Sequence, residues 1–324
     1  MHGVNKPGNG PCFPWKFGPG VSLPVLSPPS TTSSSTTTSK KERCSILVGT
    51  TALALSGILL SGTSPVQAYE YVRVEDVESD MLQAGLNAAN DRNWDAAERF
   101  FQTYLKQEDP QSASGYSNLG NVHLQQGKVQ QAIRDYNMAL ELAPASSVPL
   151  LNRGLAYEQL GVEKQEAMKE KDAFDCWELG KKDLLQAIEI DPDEFVAYYD
   201  LGLIELRLGD FEESSKHLQK AADLAPGIAG YRVRAAVLLF QNGDDTMAAQ
   251  QLRGVVRKYG MYAEAHAALG GVYWSQGNIG AAEEELAKAV DLDEIWNDPQ
   301  EVRKNTRWPP RLYEVYDKLI SISA

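Results

Sequence analysis

Small residues return along this chain at a fixed interval. In "SNLGNVHLQQGKVQQAIRDYNMALELAP" (117–144), Gly120, Gly127, Ala132, Ala139 and Pro144 punctuate an apolar pattern of helical spacing whose large members include Leu119, His123 and Tyr136. The same frame recurs downstream as Tyr198, Leu201, Gly202, Gly209, Ser214, Leu218, Ala221 and Pro226. It returns one period further on as Ala235, Ala236, Gly243, Ala248 and Leu252, and once more as Leu269, Gly270, Gly277, Ala282, Leu286 and Ala289. Between Pro144 and Pro192 the interval is one period plus 14, with Leu150, Gly154, Tyr157 and Gly161 opening that copy and Leu184 and Ala187 closing it. Gly85, Ala88, Ala97, Phe101 and Tyr104 make a looser copy upstream.

Each recurring type has a mechanical reason. With Gly120 counted as position 8 of its copy, small residues at positions 8 and 20 let two helices approach backbone to backbone, and large residues at 4, 7, 11 and 24 fill the layers between them. A glycine at position 15 ends the first helix in a conformation with positive φ. A proline at position 32 cannot continue the second. One such hairpin cannot bury its apolar face alone, so the copies must stack.

This period and these residue types resemble the tetratricopeptide repeat, a helix-turn-helix unit of about 34 residues. The resemblance implies an all-α fold, a right-handed superhelical solenoid of six repeats closed by a C-terminal capping helix. The expected boundaries are 78–112, 113–146, 147–194, 195–228, 229–262 and 263–296, with a cap over 297–324 in which Pro309 and Pro310 start an apolar helix over the open end and Trp296 and Trp308 anchor the crossing. Within 147–194, the insertion lies between Gly161 and Gly180 in a stretch free of proline and glycine. An insertion of that size is about four helical turns. It lengthens the second helix by that much, or both helices by about two turns.

The N-terminus reads as an address. Residues 1–44 are rich in Pro, Gly, Ser and Thr, with no acidic residue before Glu42, the composition of a chloroplast transit peptide. Residues 45–68 follow Lys40, Lys41 and Arg43 with an apolar run and end in "SPVQA", a secretory-type signal with Val66 and Ala68 at −3 and −1. Together these resemble the bipartite presequences of thylakoid lumen proteins, with cleavage after Ala68. The competing reading is an uncleaved anchor that tethers the body to the lumenal face of the thylakoid membrane. The chain carries a formal charge of −13; segment 1–68 holds five of its 31 basic and one of its 44 acidic residues, so segment 69–324 carries −17. Such a body repels nucleic acid and anionic lipid. Past Ala68 a single cysteine, Cys176, is left, which excludes an intrachain disulfide there, and its aromatic neighbours fit a half-buried, inert thiol.

No phosphate-cradling glycine loop, nucleophile elbow or metal-ligand spacing appears, so the expectation is a non-catalytic chain with no cofactor and no metal. The resemblance implies a concave groove lined by positions 2, 5, 9, 12 and 13 of each first helix. Carried over, these positions give Asn121, Leu151, Leu155, Tyr199, Leu203, Arg207, Val233, Phe240 and Trp274, an apolar lining suited to a partner's helix or extended peptide. The family's carboxylate clamp does not fit: Asn121 and Asn152 hold its asparagine positions, but Ser117, Val196 and Asp200 stand where cations belong. Phe174 and Trp177, three apart within the insertion, form a candidate docking stripe. The expected function is a protein-interaction scaffold for lumenal or thylakoid membrane proteins, in photosynthetic complex assembly or maintenance. The alternatives are a self-associating structural protein, its oligomeric state open, and a membrane-tethered adaptor.

Overall fold

The structure is a computed structural model, and it describes residues 79–323; the two N-terminal signals lie outside these residues. Among the described residues the regular structure is entirely helical. Six antiparallel pairs follow one another: α1 (Asp80–Asn90) with α2 (Trp94–Gln107), α3 (Ala113–Gln125) with α4 (Val129–Leu142), α5 (Ser147–Glu166) with α6 (Glu170–Ile190), α7 (Phe195–Leu208) with α8 (Phe211–Leu224), α9 (Ala229–Gln241) with α10 (Asp245–Lys258), and α11 (Ala263–Ser275) with α12 (Ile279–Leu292). A single 3-10 turn (Glu294–Asn297), a short helix α13 (Pro299–Asn305) and a final helix α14 (Pro310–Ser323) complete it. Each helix packs on its pair partner, the second helix of each pair packs on the first helix of the next, and no described helix is long and apolar enough to cross a membrane.

The small residues sit at the crossings. A Cβ on Gly85 would lie 2.6 Å from the Phe101 ring, one on Gly120 2.6 Å from Tyr136, and one on Gly202 2.6 Å from Leu218. In the third pair the backbones themselves meet: a Cβ on Gly180 would lie 2.9 Å from the carbonyl oxygen of Gly154. Ser214, at the weakened position 20 of the fourth copy, donates its hydroxyl to the Gly202 carbonyl at 2.7 Å, so the polar side chain is satisfied inside the crossing. Three histidines clasp carboxylates of neighbouring helices, His123 to Asp135, His217 to Glu205 and His266 to Glu285, and no group of metal-ligating side chains exists among the described residues.

One residue per pair takes a left-handed conformation at the end of the first helix: Arg92, Gly127, Met168, Gly209, Gly243 and Gly277. The third of these corrects the sequence reading. Gly161 occupies the frame position of the helix-ending glycines, yet α5 runs past it to Glu166 and the turn falls on Met168, with φ 57°. Gly161 is small for another reason: a Cβ there would sit 2.2 Å from the indole nitrogen of Trp177. The insertion therefore lengthens both helices, to 20 and 21 residues against 13 or 14 in the pairs on either side.

Three substitutions separate these roles. Gly180→Ala forces a methyl against the Gly154 carbonyl and the Ile204 side chain, and is expected to cost about 1–3 kcal/mol. Gly254→Ala, in α10 with nothing within 4 Å of the added methyl, should gain about 0.5–1 kcal/mol from helix propensity alone. Met168→Gly relieves the left-handed strain and should gain about 1 kcal/mol. Urea unfolding monitored by circular dichroism reads all three.

Candidate protein-binding groove

The first helices α5, α7, α9 and α11 form one wall, and the C-terminal segment lies on it. The C-terminal helix packs on the last pair and also turns back along the wall: α14 packs on α11, touches α12 and reaches α9, and a strap, 306–309, leads into it. Trp308 is fully buried, stacked on Trp296 at 5.6 Å and edge-on to Tyr316 at 5.1 Å, and its indole N–H donates to Glu264 of α11 at 3.0 Å. Glu264 also accepts from Arg234 of α9 at 2.6 Å and from the Tyr262 hydroxyl at 3.1 Å. At the strap's other end the Arg311 guanidinium lies 3.9 Å above the Phe240 ring, pairs with Asp245 at 2.6 Å and donates to the Phe240 carbonyl. Its backbone N–H donates to Gln241 at 2.9 Å.

Deeper in the groove, Glu158 of α5 pairs with Arg207 of α7 at 2.6 Å, and Arg307 of the strap comes within 3.9 Å of the same carboxylate oxygen. Burial alone would raise the Glu158 carboxyl, but the guanidiniums of Arg207 and Arg307 outweigh it and hold the group below the usual carboxylate range. Asp200 is the converse case. Burial pushes its carboxyl up to about 7, with the Glu158 charge adding and Arg307 opposing, and its Oδ2 has no hydrogen-bond partner. It supplies none of the positive charge that a carboxylate clamp needs at this position, and when ionised it repels an anionic ligand.

The residues expected to line the groove divide. Val233 and Phe240 are fully buried, Phe240 beneath Arg311, and Leu151 and Leu203 are core residues; none of these four is open to a ligand. Asn121 is also buried, spent on a bridge between pairs: its carbonyl accepts from the Tyr136 hydroxyl at 2.7 Å and from Asn152 at 2.9 Å. Arg207 is committed to Glu158, with its guanidinium 5.6 Å from the Trp177 ring. Leu155, Tyr199 and Trp274 are half-buried, and Tyr199 stacks on Tyr231 at 4.2 Å. The proposed insertion stripe is split. Phe174 is 49% exposed, but Trp177 is 5% exposed, packed on Gly161 with its N–H towards the Glu158 carbonyl. The i,i+3 spacing that paired them on paper straddles the edge of the buried face. Cys176 between them is half-buried, and burial raises its thiol.

Sequence reasoning missed Glu158, Glu264 and Asp245 as strap receptors. The available signal was charge: acids at groove positions 12 and 2, and a C-terminal "RWPPR" that could answer them.

Comparison with known proteins agrees with this geometry. Sequence profiles of the tetratricopeptide repeat match residues 113–146, and residues 177–229, 199–260 and 233–299. The chain belongs to the tetratricopeptide repeat family. Photosystem I assembly protein Ycf3 of Prochlorococcus marinus (strain NATL2A) is 33% identical over 114 residues, covering 33% of this chain and 65% of that protein. The protein of that name from Synechococcus sp. (strain CC9605) is 30% identical over 115 residues, 35% of this chain and 66% of that one. Human tetratricopeptide repeat protein 6 is 30% identical over 118 residues, 36% of this chain and 20% of its own length. The matched part of the chain thus spans less than two thirds of each relative. Among solved structures, Pseudomonas aeruginosa pilF superposes with a TM-score of 0.53 at 19% identity over 66% of this chain and 90% of that one. A chain of the APC/C hetero-tetramer Cut9-Hcn1 gives 0.53 at 17% identity over 74% and 42%. These structures share the repeat fold.

The buried aspartate generates a pH prediction. Its carboxyl is raised in the folded state, so between about 4 and 7 the folded chain holds more protons than the unfolded one, and stability falls as pH rises through that window. Asp200→Asn removes this dependence. It should be near neutral at pH 4.5 and stabilising by about 1–3 kcal/mol at pH 8, read by urea unfolding at the two pH values. Equal effects at both would mean that Glu194, a neighbour whose carboxyl burial also raises, carries the titration instead.

Proposed function

We propose that the chain is a non-catalytic scaffold that binds partner proteins in its concave groove, that it works in the thylakoid lumen, and that its partners belong to the assembly or maintenance of a photosynthetic complex. The observation that carries the binding role is the strap itself. An extended segment, 306–309, lies across the first helices and, with Arg311, is held by Glu158, Glu264, Gln241 and Asp245, groups that would hold a partner's peptide as readily as the chain's own. Half-buried Leu155, Tyr199 and Trp274 offer apolar contact on the same face. The lumenal address rests on the two N-terminal signals, and the photosynthetic role on the likeness to proteins named as photosystem I assembly factors.

Affinity capture from lumenal extract tests the groove. Trp274→Ala and Tyr199→Ala together should reduce capture at least tenfold while leaving the helical signal intact, whereas Phe174→Ala, on the insertion, should not; undiminished capture by the double variant would remove the groove. Imaging a fluorescent fusion of residues 1–80, with N-terminal sequencing of the mature protein, tests the address: a start at Tyr69 is expected, and retention of the apolar run would make the protein a membrane-tethered adaptor.

A further inference from the structure

Resting on the reading of the groove as a protein-binding surface, we propose that its ligand is an extended cationic segment in which a tryptophan and prolines are flanked by arginines, and that this chain's own strap is a built-in competitor for the same place.

The charges select the ligand. Residues 303–311, "RKNTRWPPR", hold four cations and no acid, on a body, 69–324, whose charges sum to −17. Three contacts of the strap and of Arg311 beside it put a cation or an indole N–H on a carboxylate: Arg307 at Glu158, Trp308 at Glu264, Arg311 at Asp245. An acidic peptide or a free C-terminal carboxylate would meet Glu158 and Glu264, each already sharing one guanidinium of the wall, together with Asp245 and Asp200, and a nucleic acid backbone would meet the same acids. The prolines fit equally well. Pro309 and Pro310 need no amide partner from the groove and fix φ where the strap ends and α14 begins, so little ordering is lost on binding.

The strap also leaves one acid of the groove unmet, which is what makes it displaceable. Its contact with Glu158 is 3.9 Å long, beyond hydrogen-bond distance, and the buried Oδ2 of Asp200 has no hydrogen-bond partner. A segment whose arginine reached both acids would satisfy a group that the strap leaves unsatisfied, and could replace Trp308 between Trp296, Tyr313 and Tyr316. While the strap is seated, the apparent affinity for such a ligand is lowered by the fraction of molecules in which the groove is open.

The probe is a fluorescent peptide with the sequence of residues 303–312, titrated by anisotropy into the full chain and into its Arg307→Gln/Arg311→Gln variant, whose strap is weakened. The variant should bind it at least tenfold more tightly than the parent, and a peptide with both flanking arginines and the tryptophan changed to alanine should lose at least tenfold. On the unaltered protein, excess peptide should accelerate amide hydrogen exchange at Trp308 and Arg311, whose N–H groups are bonded to Tyr313 and Gln241. Equal affinity for parent and variant, no binding to either, or binding that leaves exchange in the strap unchanged would overturn the proposal. The exchange measurement needs no variant, so a double substitution that failed to fold would still leave a decisive result. Failure here with groove-dependent capture of lumenal proteins intact would remove the ligand chemistry and leave the scaffold standing; loss of capture with peptide binding intact would do the reverse.

Discussion

Everything in this structure follows from how closely two helix backbones approach within a pair. Where Gly154 faces Gly180, carbonyl oxygen and Cα lie so near that even a methyl would intrude, and Gly85, Gly120 and Gly202 admit a ring or a branched side chain from the partner helix at the same place. Packing density inside a protein leaves no slack at such contacts, so the pairs share one geometry and stack with one sense of rotation per copy. A concave face is the outcome of that repetition. The groove is therefore inherited from the crossings, and its chemistry is set separately by whichever side chains the first helices present.

That chemistry is electrostatic before it is apolar. Glu158 and Arg207 are paired out of water, which is tolerable only because the geometry is short and Arg307 adds a second cation. Asp200, close by, lacks such a partner and is held near neutrality by burial. Two carboxylates in one pocket thus differ sharply in how readily they ionise, and the difference traces to which of them a guanidinium can reach. At the strap's other contacts Glu264 and Asp245 each hold direct bonds, so the segment is fastened to the wall by hydrogen bonds at Trp308 and Arg311 and by longer-range charge at Glu158.

The periodic part of this fold was legible because its signals are local. A glycine at a helix end, a small residue at a crossing and a proline after the second helix each act within one hairpin, and they repeat. The reading of Gly161 failed because one residue type serves two ends. Gly161 has the spacing of the turn glycines but is small because Trp177 lies on it, and the turn moved to Met168, a residue with no preference for that conformation. The strap was illegible because it depends on contacts far apart in sequence. Arg307 meets Glu158 and Trp308 meets Glu264 only after six pairs have curved the chain back on itself. Nothing in the local pattern of 297–311 distinguishes a segment that closes the end of a stack from one that enters its groove.

The insertion and the strap, read from sequence as separate features, converge on one carboxylate. Lengthening α5 and α6 adds the packing of Trp177 on Gly161, and that indole lies under the Arg207 guanidinium with its N–H towards the Glu158 carbonyl. The long pair thereby places an indole against the Arg207 guanidinium and the Glu158 backbone, which screens the groove's buried ion pair from water on that side. A copy of ordinary length would end at the position of Gly161, with Glu158 in its last turn and no Trp177 beneath Arg207. The extra residues act on the groove from behind, by building the acid that the strap's arginine approaches, and the exposed Phe174 is left as the part of the insertion that faces outward.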